Sequence, residues 1–273
     1  MRCGLFRGLQ LLFGPGLFRD ALAFPYFLDF SQLLPAISGI SVLDALQLTL
    51  QYDRSPVVNA IVLEDLSVRL GKRWVLARLA AELPAGRSIL ITGDNGAGKT
   101  TLLRVLATAI RPTRGKLKIF GLDSKQDTAQ IRRLVGLMSH GSHLYDDLTA
   151  RQNMELVARL SGIGLEGIDE ILEQVRLTEH ADRIAGNFSA GMKRRLIIGR
   201  LLLRKPRLVL LDEPFGQLDV AGVDLMTSLV KTFQDDGVTV VIATHMHQLG
   251  RSLCDMHFEM LDGRFKQVQE AAA

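Results

Sequence analysis

Residues 93–101, Gly93-Asp94-Asn95-Gly96-Ala97-Gly98-Lys99-Thr100-Thr101, have the types and spacing to hold a chain of phosphates. The order G-x-x-x-x-G-K-T is that of a phosphate-binding loop. Its three glycines let the backbone come close to an anion, with several amide N–H groups turned into one concavity. Lys99 supplies a mobile charge for β- and γ-phosphates, and Thr100 a hydroxyl for Mg2+. A second group lies far along the chain. Leu208-Val209-Leu210-Leu211 is an apolar run followed by Asp212-Glu213-Pro214. Asp212 can reach the Mg2+, directly or through water, and Glu213 can orient an attacking water or take its proton. Val238-Thr239-Val240-Val241-Ile242-Ala243-Thr244-His245 is a similar run that ends in a histidine. His245 is expected beside the other strand ends, in contact with the γ-phosphate.

These residues need particular elements to carry them. Ser88-Ile89-Leu90-Ile91-Thr92 before the loop is of strand type, and residues 102–107 after it have apolar residues at helical spacing. The helix so begun would add unpaired N–H groups and the positive end of its dipole to the anion site. Four apolar residues in a row at 208–211 predict a strand buried on both faces, as in a parallel sheet. Carboxylates at its carboxyl end sit where open α/β sheets bind ligands. Upstream, Ala60-Ile61-Val62-Leu63, Leu66-Ser67-Val68-Arg69-Leu70, Trp74-Val75-Leu76 and Leu79-Ala80-Ala81-Glu82-Leu83 predict short strands of a small antiparallel sheet. Trp74 could stack on an adenine ring or be a half-buried strand aromatic. From Thr149, a predicted N-cap, the pattern turns helical up to Gly162 and again over 168–175. That block predicts a helical insertion between strands of the nucleotide-binding core. Ser189-Ala190-Gly191-Met192 opens a further helix that ends at Lys205-Pro206.

The chain has 273 residues, 47% of them hydrophobic, enough to bury a sizeable core. A net charge of +4 permits contact with acidic lipid and gives no pointer to nucleic acid. Cys3 and Cys254 lie at opposite ends without metal-type spacing, which fits a reducing, cytosolic compartment. Residues 1–58 contain no Lys, Glu or His, and six of the 12 phenylalanines fall in the first thirty positions. A secretory signal, a membrane span over 21–43 or a surface-lying segment are alternatives there. Gly14-Pro15-Gly16 interrupts the first, and Pro25, Asp29 and Pro35 the second. The composition breaks near Ser55-Pro56, so a poorly ordered or artefactual extension is the favoured expectation.

Taken together, residues 60 to about 265 resemble the ATP-binding subunit of ABC transporters. The loop at 93–101 resembles the family's Walker A, Phe188-Ser189-Ala190-Gly191 its signature sequence and residues 208–212 its Walker B. Glu213 resembles the catalytic glutamate, residues 216–219 the D-loop and His245 the switch histidine. The resemblance implies an α/β P-loop fold over 59–270, with a mainly parallel core sheet, an antiparallel β subdomain and a helical subdomain at about 123–205. It implies ATP and Mg2+ as cofactors and two copies stacked head to tail. Ser189, Gly191 and Asp219 of one copy would then face the phosphates held by Lys99 of the other. It also implies membrane-spanning permease partners, at the inner face of the cell membrane. Two positions depart from the pattern. The Q-loop glutamine, another magnesium contact, falls at His140, and the adenine-stacking aromatic falls near Leu70 unless Trp74 replaces it. Within the family, Ser-Ala-Gly followed by Arg194-Arg195, with Leu218-Asp219-Val220-Ala221-Gly222, resembles the CcmA group. That implies haem export in cytochrome c maturation. Another exporter, of drugs, lipids or polysaccharides, is the alternative, and a soluble ABC ATPase without transport a further one.

Overall fold

The computed structural model describes residues 59–139, 144–216 and 218–268. The composition break near Ser55-Pro56 and His140 lie outside them. Two sheets carry the described residues. The first has four antiparallel strands in the order β2-β1-β4-β5. They are β1 (Asn59–Leu70), β2 (Arg73–Pro84), β4 (Arg114–Ile119) and β5 (Leu122–Asp123). The second has six strands in the order β10-β9-β3-β8-β7-β6. They are β3 (Ser88–Thr92), β6 (Val135–Met138), β7 (Leu208–Asp212), β8 (Thr239–Ala243), β9 (Met256–Leu261) and β10 (Arg264–Gln267). All neighbours in it are parallel except β10, which turns back on β9.

The four segments expected as separate strands before the loop form two long ones. Asp65 (φ 47°) and Arg78 (φ 51°) take left-handed backbone conformations. Each kinks its strand without ending it, and the pairing jumps from Leu63↔Ala81 to Leu66↔Leu79. Short apolar runs read singly cannot distinguish a bulge from a turn.

Apolar periodicity explains the second sheet. All five residues of β3, β7 and β8 are buried. Leu208 and Leu210 point into one core with Ile89, Ile91 and Val241. Val209 and Leu211 point into the other with Val240 and Ile242. A strand with a core on each face needs the unbroken apolar run seen in the sequence. The first core lies over helix α1 (Lys99–Leu106), which buries Leu102, Leu103, Val105 and Leu106 against the antiparallel sheet. Helix α2 (Thr128–Leu134) then leads into edge strand β6. The second core joins the sheet to α5 (Ala190–Arg204), α6 (Val220–Asp235) and the helical insertion. Helix α7 (His247–Leu253) links β8 to β9.

The insertion comprises α3 (Ala150–Ser161), α4 (Ile168–Gln174) and α5. The range expected for it, 123–205, also contains α2 and β6, which belong to the core. Thr149 caps α3 with a full capping box. Its hydroxyl accepts from Gln152 N at 3.1 Å, and Gln152 Oε1 accepts from Thr149 N at 2.9 Å. Such a cap contributes about 1 kcal/mol. Gly162, at φ 68°, ends the helix. Asn153, 1% exposed, gives its amide to the carbonyls of Tyr145, Leu148 and Thr149, and its oxygen accepts from Tyr145 N. It thereby fixes the backbone leading into α3. Cys254 is largely buried beside α7, and burial pushes its thiol up to about 12. A thiol so poorly ionised is a poor nucleophile near neutral pH.

Among the described residues, the buried ones of both cores lie between 60 and 260. The composition break near Ser55-Pro56 predicts that a chain beginning at Val57 folds and binds ATP as the full chain does. Its melting temperature should stay within ~3 °C, the size of a 1 kcal/mol effect in a domain of this length. A larger drop, or weaker ATP binding, would show that residues 1–56 pack on the domain.

Candidate functional site

The chemistry-bearing residues converge because three adjacent strands end level with one another. Ile91 on β3 is paired with Ala243 on β8, and Ala243 with Asp212 on β7. The loop follows β3, the acidic pair ends β7, and Thr244-His245 follows β8. The loop, the acidic pair and His245 open on one cleft of ≈ 880 Å3 at the carboxyl ends of the strands. Asn95, Gly96, Gly98, Lys99, Thr100 and Thr101 line one side of it. Asp212, Glu213 and His245 line the same cleft.

The loop is held by close packing. A Cβ on Gly93 (φ 141°) would strike the carbonyl of Met260 on β9. One on Gly98 (φ 108°) would lie 2.8 Å from Leu76 Cδ2 on β2. Neither conformation nor space admits another residue. Ala97 N donates to Asp94 O at 3.1 Å, closing the turn. Lys99 Nζ donates to Gly93 O at 2.6 Å and Asp94 O at 3.1 Å, so its ammonium lies across the loop's own arc.

Glu213 is the most constrained side chain in the cleft. Its backbone is left-handed (φ 50°), and its N–H donates to Ala243 O at 2.8 Å. Oε2 accepts from Thr244 Oγ1 at 3.0 Å and from His245 N at 3.3 Å, and it pairs with His245 Nδ1 at 2.8 Å. Glu213 is 8% exposed, whereas the imidazole of His245 is largely open to the cleft.

Asp212, 3% exposed, and Thr100 are the hard oxygen donors at this end of the cleft. One carboxylate and one hydroxyl suit Mg2+, which keeps waters and takes substrate phosphate oxygens to complete its shell. Among the described residues no group of three or more His, Cys, Asp or Glu could hold a metal by itself. The donor set therefore fits a magnesium ion that arrives with a phosphate ligand.

Two residues not singled out as site residues from sequence belong here. Thr244, fully buried, is the hydroxyl that reaches Glu213. Its signal was its place between a buried strand and His245. Arg194, on the second turn of α5, lines the cleft with Gly216. Burial lowers its pKa, and the nearby Glu213 carboxylate opposes that. Its Nη2 would lie 3.5 Å from a Cβ on Gly216, so the side chain reaches from the helical insertion to the loop after β7.

Trp74 is not brought to the cleft. Leu70 and Val75 line it instead, and the Trp74 indole lies beneath the Arg114 guanidinium at 5.3 Å. Val75 is the extra residue of a bulge between the pairs Val68↔Leu76 and Arg69↔Trp74, which re-aims the side chains on this part of β2. Ser189 and Asp219 serve as helix N-caps, accepting from Met192 N at 3.2 Å and Gly222 N at 2.8 Å. Neither lines the cleft of its own chain, nor does Gly191, which packs on Leu218.

Residues 76–216, more than half of the chain, match the family model for the ABC transporter. The chain belongs to this family. It is 36% identical over 184 residues to the bacitracin transport ATP-binding protein BcrA of Bacillus licheniformis, covering 67% of this chain and 60% of BcrA. It is 32% identical over 201 residues to the daunorubicin resistance ATP-binding protein DrrA3 of Streptomyces coeruleorubidus, covering 72% of this chain and 64% of DrrA3. The chain thus spans under two thirds of either relative. A dimeric bacterial ABC transporter cassette superposes with a TM-score of 0.70 at 25% identity, over 77% of this chain and 100% of the cassette. An α/β P-loop core, an antiparallel sheet and a helical insertion are the ABC ATPase fold expected from the motifs.

Proposed function

We propose that this chain is the ATP-hydrolysing subunit of an ABC export complex. The observation that carries the proposal is the convergence of the loop, Asp212, Glu213 and His245 on one cleft. In that reading, the loop amides and Lys99 bind the β- and γ-phosphates of ATP. Thr100 and Asp212 hold Mg2+, which would draw charge from the phosphate oxygens when bound. Glu213 orients water and takes its proton, and His245 touches the terminal phosphate. Ser189, Gly191 and Asp219 stand away from their own cleft and at helix starts. They serve the cleft of a second copy, where the N-terminus of α5 offers an anion site. Dimeric packing in a related cassette supports that arrangement.

No helix among the described residues is long and apolar enough to cross a membrane. Membership of the ABC transporter family supports permease subunits as partners, with this chain at the inner face of the membrane. No feature of the cleft calls for nucleic acid. The two relatives named above are tied to bacitracin transport and daunorubicin resistance. These names favour an antibiotic-like cargo over haem. The haem-export reading keeps only the short motifs at 189–195 and 218–222. The test is ATP turnover by the chain co-purified with the membrane proteins it binds, with either cargo added. We expect Mg2+-dependent turnover that an antibiotic-like cargo stimulates more than haem does. ATP binding without turnover would defeat the hydrolytic reading, and stimulation by haem alone would restore the narrower one.

A further inference from the structure

Glu213 has two carboxylate oxygens, and the structure treats them differently. Oε2 accepts from Thr244 Oγ1 and His245 N and pairs with His245 Nδ1. Among the described residues no hydrogen bond reaches Oε1. The direction of the Thr244 bond is fixed by its neighbours. Met246 N, which can only donate, lies 3.1 Å from Thr244 Oγ1. The hydroxyl accepts there, so its own hydrogen goes to Glu213 Oε2. Thr244 is itself immobile: it is fully buried, and its N–H donates to Ile91 O of β3 at 3.3 Å. One threonine therefore ties the strand that carries the phosphate loop to the carboxylate at the end of β7.

We infer that Thr244 is a positioning residue for hydrolysis. It anchors Oε2 so that Oε1 alone faces the water, whether or not His245 has turned toward a phosphate. His245 is exposed and can swing away from Glu213, and the buried hydroxyl cannot. Without Thr244, departure of the imidazole would leave Oε2 only the longer bond to His245 N. The carboxylate would then rotate during the step in which its direction matters. A misdirected base loses rate and leaves substrate binding intact.

This inference rests on the hydrolytic reading above, and the test separates the two. ATP turnover, nucleotide affinity and melting temperature are measured on the full chain for the parent, Thr244→Val, Thr244→Ala and Thr244→Ser. The two variants without a hydroxyl are expected to lose kcat by about 10-fold or more, as for a bond to a charged group, with KM within about 3-fold. Thr244→Ser should restore most of the rate. A positioning residue acts through Glu213, so Thr244→Val should change the residual rate of Glu213→Gln by less than about 2-fold. A merely structural role would lower that residual rate by the same factor as in the parent. Parental kcat in Thr244→Val, no rescue by serine, or full additivity with Glu213→Gln would each overturn the inference while the ATPase reading stands. A parent that binds ATP without turning it over would overturn both.

Discussion

Glu213→Gln is expected to bind ATP as the parent does, to hydrolyse it at least ~100-fold more slowly and to accumulate as an ATP-bound dimer. Glutamine matches glutamate in size and shape, so the left-handed backbone at 213 and the packing at the end of β7 are unchanged. The surroundings dictate how the amide sits. Thr244 Oγ1 and His245 N present hydrogens to the Oε2 position, with His245 Nδ1 beside it. The amide oxygen takes that place, and the NH2 group goes where Oε1 stood. An NH2 group cannot accept a proton from water. The substitution thus removes the base while every binding contact on Lys99, Thr100 and Asp212 remains. Phosphate release at saturating Mg-ATP gives the rate, and size exclusion with and without ATP gives the dimer. Turnover at the parental rate would show that another group activates the water.

The parts of this site legible in the sequence are those where chemistry and local structure share a short stretch. The phosphate loop is such a stretch, because the glycines that shape it and the lysine that charges it lie within nine residues. Asp212 and Glu213 were legible because four apolar residues before them mark a buried strand. The Thr149 cap was legible for the same reason, as a polar residue immediately before a periodic run. Contacts that need two strands were not. Nothing in Val240-Val241-Ile242-Ala243-Thr244 says that the threonine will face Glu213. That follows from β7 and β8 being neighbours in register at Asp212↔Ala243. Trp74 was ambiguous for a related reason, since its direction is set by the bulge at Val75 and the pairing with β1. Ser189, Gly191 and Asp219 show a further limit. One chain gives them only helix-capping and packing roles, and the phosphate role carried by resemblance requires a second copy.

Lys99→Ala is expected to show the opposite pattern to Glu213→Gln, with ATP binding lost and the dimer never formed. Lys99 is 7% exposed, and its ammonium is held at 2.6 Å by Gly93 O and at 3.1 Å by Asp94 O. These two carbonyls belong to the loop that would wrap the phosphates. The ammonium is therefore already within the arc and needs only to exchange carbonyl oxygens for phosphate oxygens. Bonds from a cation to an anion are worth about 1.5–3 kcal/mol each, and a lysine that bridges two phosphates makes two. The expected loss in affinity is then at least ~100-fold. The fold should change less. Alanine keeps the helix start, and the glycine conformations at 93 and 98 are set by Met260 and Leu76 and not by Lys99. Titration with a fluorescent ATP analogue measures the binding, and a thermal melt without nucleotide separates it from unfolding. If Lys99→Ala keeps parental affinity at an unchanged melting temperature, the phosphates are held elsewhere and the cleft must be reassigned.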